Sequence, residues 1–222
     1  MNRSWLLAYG LILTALAGYI DALGFIRLGG LYTSFMSGNT TQLSVALGHR
    51  DFAHAILPAL LIFAFFLGAT LGGGLSVVTA PRWAMPVVLA FEALTVLGAL
   101  SIGLTTPDLG LASLFMALAM GAQNAVLVQV QGFRAGTTFV TGALFSFGQK
   151  VALALSRRGP RYGWVGDGAV WLALLAGAAT GTVVYDRIGL FALVVPATIT
   201  ATLSIGAAVV IARRPEPVQT SP

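Results

Sequence analysis

The sequence predicts an all-α fold. It reads as a polytopic bundle of membrane-spanning helices with an internal duplication, arranged as inverted halves of three spans each plus two broken or re-entrant segments. Three observations predict it. The 222 residues are 57% hydrophobic and only 9% charged, where soluble domains carry about 25% charged residues. Apolar runs of the length that crosses a bilayer recur along the chain. Short motifs recur at a nearly constant offset. A mean hydropathy of +0.89 agrees. Soluble enzymes, nucleic-acid-binding modules and disordered chains are excluded on this composition. The net charge of +5 rests on 12 Lys+Arg against 7 Asp+Glu, an excess that membrane proteins carry in cytoplasmic loops. With no cysteine, disulfides, thiolate catalysis and thiolate metal sites are ruled out. His49 and His54 alone offer little for zinc or haem. No cofactor and no metal are expected. The expected partner is the lipid bilayer, not nucleic acid.

The elements follow in order. Residues 5–26 form the first span. Met1-Asn2-Arg3 and Ala15-Leu16-Ala17 imitate a signal peptide and its cleavage site. The apolar run continues past that site, however, and has a counterpart later in the chain, so it is expected to remain as a span. Residues 29–48 are weaker, rich in Gly, Ser and Thr and interrupted by a polar motif. Residues 52–78 and 83–104 are strong spans separated by Pro81-Arg82. Pro107-Asp108 precedes the next span, 109–130. Residues 135–155 are the second weak segment, followed by the basic loop Arg157-Arg158-Gly159-Pro160-Arg161. Residues 165–185 and 188–212 are the last spans, divided by Asp186-Arg187. Arg213-Arg214-Pro215 stops the final helix. One transmembrane domain, 1–222, therefore holds a first repeat at 5–104 and a second at 109–212.

The repeat rests on three motif pairs. Gly18-Tyr19-Ile20-Asp21-Ala22 aligns with Gly121-Ala122-Gln123-Asn124-Ala125. Ser34-Phe35-Met36-Ser37-Gly38 aligns with Thr138-Phe139-Val140-Thr141-Gly142. Gly68-Ala69-Thr70-Leu71-Gly72 aligns with Gly177-Ala178-Ala179-Thr180-Gly181. The offset drifts only where the basic loop adds residues. Loop charge then sets topology. If the weak segments re-enter without crossing, nine basic residues lie with the N-terminus and only Arg27, Arg50 and Arg187 lie opposite. If both segments cross, the split is eight to four. The rule slightly favours six spans, hence inverted halves with both termini cytoplasmic. Inverted halves are a common transporter design, with the binding site at the repeat interface.

Asp21 lies late in the first span, where a carboxylate costs about 2.5–3.5 kcal/mol at the helix centre. Either it serves a site, or it caps a neighbouring helix or pairs with Arg27. Its repeat mate is Asn124, preceded by Gln123, so an ion-binding carboxylate and a neutral amide are expected around one cavity. The weak segments supply Ser34, Ser37, Asn39 and Thr40 from the first half and Thr138 and Thr141 from the second. Breaks are expected at Ser37–Thr40 and Thr141-Gly142. Non-helical backbone at this depth must face protein or water, and a broken helix end offers N–H groups to an anionic or polar ligand. Tight packing of small residues is the competing account. Glu92 sits mid-span as a second proton-site candidate, with Lys150 or a loop arginine as an alternative partner. Lys150 itself is expected to anchor at the cytoplasmic interface. Gly68-xxx-Gly72 and Gly177-xxx-Gly181 allow close helix approach, either between the halves or in a homodimer.

Gly18-Tyr19-Ile20-Asp21-Ala22-Leu23-Gly24, Leu28-Gly29-Gly30 and Ser34-Phe35-Met36-Ser37-Gly38-Asn39-Thr40 together resemble the signature of the YoaK family. The second half fits it through Gln123-Asn124-Ala125 and Thr138 to Gly142, but carries Ala143 where the first half has Asn39. The resemblance covers nearly the whole chain. It implies a small polytopic protein of a bacterial inner membrane, and it brings no substrate or reaction. The residues point to a secondary transporter or permease for a small polar or anionic solute, coupled to protons through Asp21. The alternative is a channel-like or assembly and partner-binding membrane protein. An enzyme is not expected: Asp21 and Glu92 are the carboxyls inside spans, and the Ser146–Lys150 pair lacks any surrounding motif.

Overall fold

The protein is described by a computed structural model over residues 3–106, 109–128 and 140–213. Among these residues the chain is helical without strands. In order it forms α1 (Arg3–Arg27), α2 (Met36–Gly48), α3 (Phe52–Val78), α4 (Pro81–Thr105), α5 (Leu109–Val128), α6 (Val140–Leu155), α7 (Val165–Ile188) and α8 (Val194–Ala212). Four apolar stretches have the length and composition to cross a membrane: Leu7–Arg27, Phe52–Val78, Pro81–Thr105 and Val165–Ala212. The last contains α7 and α8. Gly110–Val126 and Val140–Leu155 are shorter apolar helices. Local chemistry sets several boundaries. Pro81 starts α4 at a position where its missing N–H costs nothing. The Asp51 side chain caps α3 by accepting the His54 N–H. The last block does not begin as α-helix: α7 runs to Ile188, Gly189 turns the chain with φ +57, and a 3-10 turn (Gly189–Leu193) leads into α8.

Side-chain clusters fix the helix directions. The second half of α1, with Ile20 and Leu23, packs with the first half of α5, Met116 and Met120. The first half of α1, with Leu13 and Leu16, packs with Val126 near the end of α5. These two helices are therefore antiparallel. So are α4 and α8: Val96 and Ala99 meet Leu193 and Ala197, while Ser204 donates to the Pro86 carbonyl. By contrast α3 lies parallel to α5, and α1 parallel to α7. Both parallel seams are closed by glycine against backbone. A Cβ on Gly68 would lie 1.9 Å from the Leu118 carbonyl oxygen, and one on Gly177 1.9 Å from that of Ala15. The same holds for Gly121 against Phe65 and Gly18 against Leu174, at 2.0 and 2.3 Å. No other residue allows backbones this close. The Gly-xxx-Gly motifs are thus used within the chain.

These directions put the end of α1 and the start of α3 at one end of the bundle. The segment between them, α2 included, enters and returns to the same end. Arg27, Gly103, Ala112 and Leu190 gather there. Outward faces carry large apolar side chains such as Phe63, Phe66 and Val77, the expected contact with lipid tails. Lys150 does not reach outward alone: its Nζ lies 2.6 Å from Asp167 Oδ2, joining α6 to α7.

Candidate functional site

The re-entrant backbone is shaped by two polar side chains. After α1 the chain turns through Gly29 and Gly30, both at positive φ, and descends beside α1 to the depth of Asp21. Asp21 Oδ1 accepts the Thr33 N–H at 2.8 Å, the Ser34 N–H at 2.6 Å and the Thr33 hydroxyl at 3.1 Å. Its Oδ2 accepts the Ser34 hydroxyl at 2.6 Å. Charge-assisted hydrogen bonds are each worth about 1.5–3 kcal/mol, which offsets the desolvation of the carboxylate. Asn39 clamps the neighbouring residue reciprocally, accepting the Tyr32 N–H at 2.9 Å and donating to its carbonyl at 2.7 Å. The break therefore falls at residues 28–35, upstream of the expected Ser37–Thr40. Ser37 and Thr40 stand in the first turn of α2 and are exposed, Thr40 bonding back to Met36. Thr141 and Gly142 likewise lie in the first turn of α6. Thr138 falls outside the described residues.

A cleft of about 510 Å³ opens beside this tip. Asp21, Tyr32, Ser34 and Phe35 line it from the first half, and Val140, Thr141, Trp171 and Thr182 from the second. The starts of α2 and α6 thus meet across one cavity. Trp171 and Thr182 escaped the sequence reading because α7 looks like an ordinary span. Their spacing with Leu174 and Ala178, at i, i+3, i+7 and i+11, is the signal that one helix face is shared.

Asn124 does not join Asp21. It donates to the Met120 carbonyl of its own helix. Gln123 instead reaches α1, donating to the Leu13 carbonyl at 2.7 Å. That bond sets the register of the antiparallel pair. Asp21 lies eight residues beyond Leu13 and Asn124 one residue beyond Gln123 in the opposite direction. At 1.5 Å per residue they sit about 13 Å apart along the axis. Repeat mates late in antiparallel helices move away from each other, so the expected Asp21–Asn124 site is two places.

Glu92 and Gln123 define a separate polar layer in the core. Both are 0% exposed. Gly98 faces Phe115 and Gly103 faces Ala112, a register that sets Glu92 on α4 level with residues 121–122 of α5, beside Gln123. Neither Glu92 oxygen has a hydrogen-bond partner, and Gln123 Oε1 has none. The buried hydroxyls of Thr14 and Thr200 are turned back onto Gly10 and Pro196 of their own helices. Glu92 therefore pairs with neither Lys150 nor a hydrogen-bonding neighbour. At the far end of the bundle, Asp51 accepts from the His54 ring at 2.8 Å. That hydrogen bond holds its carboxyl below the usual carboxylate range.

Comparison with known proteins places these features in a family. The family described as "Protein of unknown function (DUF1275)" matches residues 9–206. The UPF0700 transmembrane protein RA0705 of Rhizobium meliloti (strain 1021) is 38% identical over 200 residues, covering 90% of this chain and 84% of the relative. No solved structure matches.

Proposed function

The chain belongs to the DUF1275 family, and from that premise we propose that this multi-pass membrane protein is a proton-coupled secondary transporter or permease for a small polar solute. Its halves, 5–104 and 109–212, are inverted repeats of three crossings each: α1, α3 and α4, then α5, α7 and α8. The seams support this residue for residue. Gly18 on Leu174 corresponds to Gly121 on Phe65, Gly177 on Ala15 to Gly68 on Leu118, and Gly181 on Tyr19 to Gly72 on Ala122. The same offsets relate every pair. Among the described residues seven basic residues fall with the start of α1 and the end of α8 and three fall opposite, which favours cytoplasmic termini, and the bacterial transmembrane relative favours an inner membrane.

The observation that carries the transport reading is the cleft between the re-entrant tip of the first half and the start of α6. Irregular backbone inside a membrane protein is tolerated where it lines a cavity, and transporters bind their solute where half-helices converge. The coupling role passes from Asp21 to Glu92. Both Asp21 oxygens are engaged in holding the tip, whereas the Glu92 oxygens are free to take up a proton. An intramembrane carboxyl without a partner is a proton-relay candidate by default. Val88 and Leu89, one turn before Glu92, pack with Leu13 and Leu16 of α1, Val126 of α5 and Leu203 of α8, so relative motion of the two halves would change its surroundings.

The test is solute-induced proton movement in proteoliposomes loaded with a pH-sensitive dye and challenged with an ammonium, a carboxylate and a sugar. At least one solute is expected to move protons against a protein-free control. Glu92→Gln is expected to lose gradient-driven accumulation and keep passive exchange. If the parent protein leaves all three solutes and the proton signal at control values, it is not a transporter of this kind.

A further inference from the structure

We propose that the cleft takes small organic cations, an ammonium group carried on an apolar or aromatic body. This inference rests on the permease reading and names its solute class. The first ground is the distribution of acceptors. Asp21 Oδ1 receives three hydrogen bonds but Oδ2 only one, from Ser34. These four hydrogen bonds leave the carboxylate its negative charge, and Asp21 is the one acidic side chain among the described lining residues. The second ground is the loss of donors. An anion would be held by free N–H groups at the tip, and most of these are spent: those of Tyr32, Thr33 and Ser34 go to Asn39 and Asp21, and those of Met36, Gly38 and Asn39 go to Ser34 and Phe35, which leaves Phe35 and Ser37. No Lys, Arg or His is among the described lining residues.

The third ground is the rest of the wall. Phe25, Tyr32, Phe35 and Trp171 line the cleft together with Leu144 and Leu174. Phe25, Tyr32 and Phe35 form one chain of rings with successive centroids 5.2 Å apart. Aromatic faces attract cations, most strongly where water is excluded. A single acidic side chain among rings, in a volume typical of small-molecule pockets, selects a compact cation with an apolar body over a sugar or a carboxylate.

The experiment uses the full chain with Trp5, Trp83 and Trp164 replaced by Phe, so that emission reports Trp171 alone. The probes are phenyltrimethylammonium, whose charge is permanent, and benzoate of similar size. Phenyltrimethylammonium is expected to change Trp171 emission saturably and to accumulate in proteoliposomes, with benzoate silent in both. Asp21→Asn should weaken the ammonium at least tenfold. Because that variant also loosens the tip, Leu144→Lys is the second arm. Leu144 lines the cleft, so a lysine there places a positive charge in it, and monodisperse elution in detergent checks that the variant folds. It should abolish ammonium binding. A Leu144→Lys protein that binds the ammonium as the parent does overturns the proposal, as does benzoate binding equal to or tighter than the ammonium. Ammonium binding without uptake upholds the cation site and removes the permease reading. Uptake of benzoate without any ammonium response upholds the permease reading and overturns the cation class.

Discussion

Asn39 is the residue on which the re-entrant tip turns. It is buried, it makes both backbone bonds of Tyr32, and no neighbouring side chain duplicates them. Asn39→Ala leaves a buried N–H and carbonyl unpaired. Thermal unfolding in detergent should show a loss of about 1–3 kcal/mol. Asn39→Asp keeps the acceptor and loses the donor, so it should fall between the two; a variant as stable as the parent would mean that the clamp does not hold the tip. The prominence of Asp21 and Asn39 was legible in the sequence, because polar groups inside apolar runs are expensive and few. Their partners were not. Asp21 meets Thr33 and Ser34 only because two glycines at positive φ fold the chain back along α1, and apolar periodicity carries no trace of such a return. Glu92 was legible as a rare intramembrane carboxyl, but that both its oxygens lack a hydrogen-bond partner was not.

At the scale of the helix, glycine placement decides which elements touch. Gly68→Ala and Gly177→Ala each drive a Cβ to within 1.9 Å of a carbonyl oxygen on the facing helix. Each should cost about 1–3 kcal/mol, the range for overpacking, and the two losses should be of similar size. Gly206 in α8 has nothing within 4 Å of its would-be Cβ. Gly206→Ala should be neutral or stabilising by up to about 1 kcal/mol. Equal melting temperatures for all three variants would show that the seams do not carry the packing. The Gly-xxx-Gly spacing was readable as a packing signal, but the identity of each facing helix was not, since lipid and protein are equally apolar neighbours. The two weak segments were recognised by their hydroxyls. The first break was misplaced because Ser37-Gly38-Asn39, which looks like a helix breaker, is the first turn of α2, where Asn39 reaches back across it.

For the whole molecule, the proposed arrangement of six crossings with two returning segments makes a topological prediction that the absence of cysteine renders easy to test. Single cysteines at Arg50 and at Arg158 should be labelled by an impermeant maleimide from opposite faces of inside-out and right-side-out vesicles, with Arg50→Cys reacting from the periplasm. Labelling of both from the cytoplasmic face would mean that both returning segments cross, and labelling of both from the periplasm that only the second does. The inversion proposed for the halves draws on the offsets and the loop charges together. The interlacing of the helices was not legible, because α1 finds its long seam on α7 and α3 on α5, partners that no adjacency in the chain suggests. That interlacing has a consequence in time. Ala15 leaves the ribosome about 160 residues before Gly177, the glycine that closes over it. At about 5–20 residues per second, α1 waits roughly 8–30 s in the bilayer. Throughout that interval its glycine notch faces lipid or an insertion factor. Biogenesis of this chain therefore depends on a holding step early in translation, and a nascent chain stalled before α7 is left with an open seam along α1 that membrane quality control would recognise.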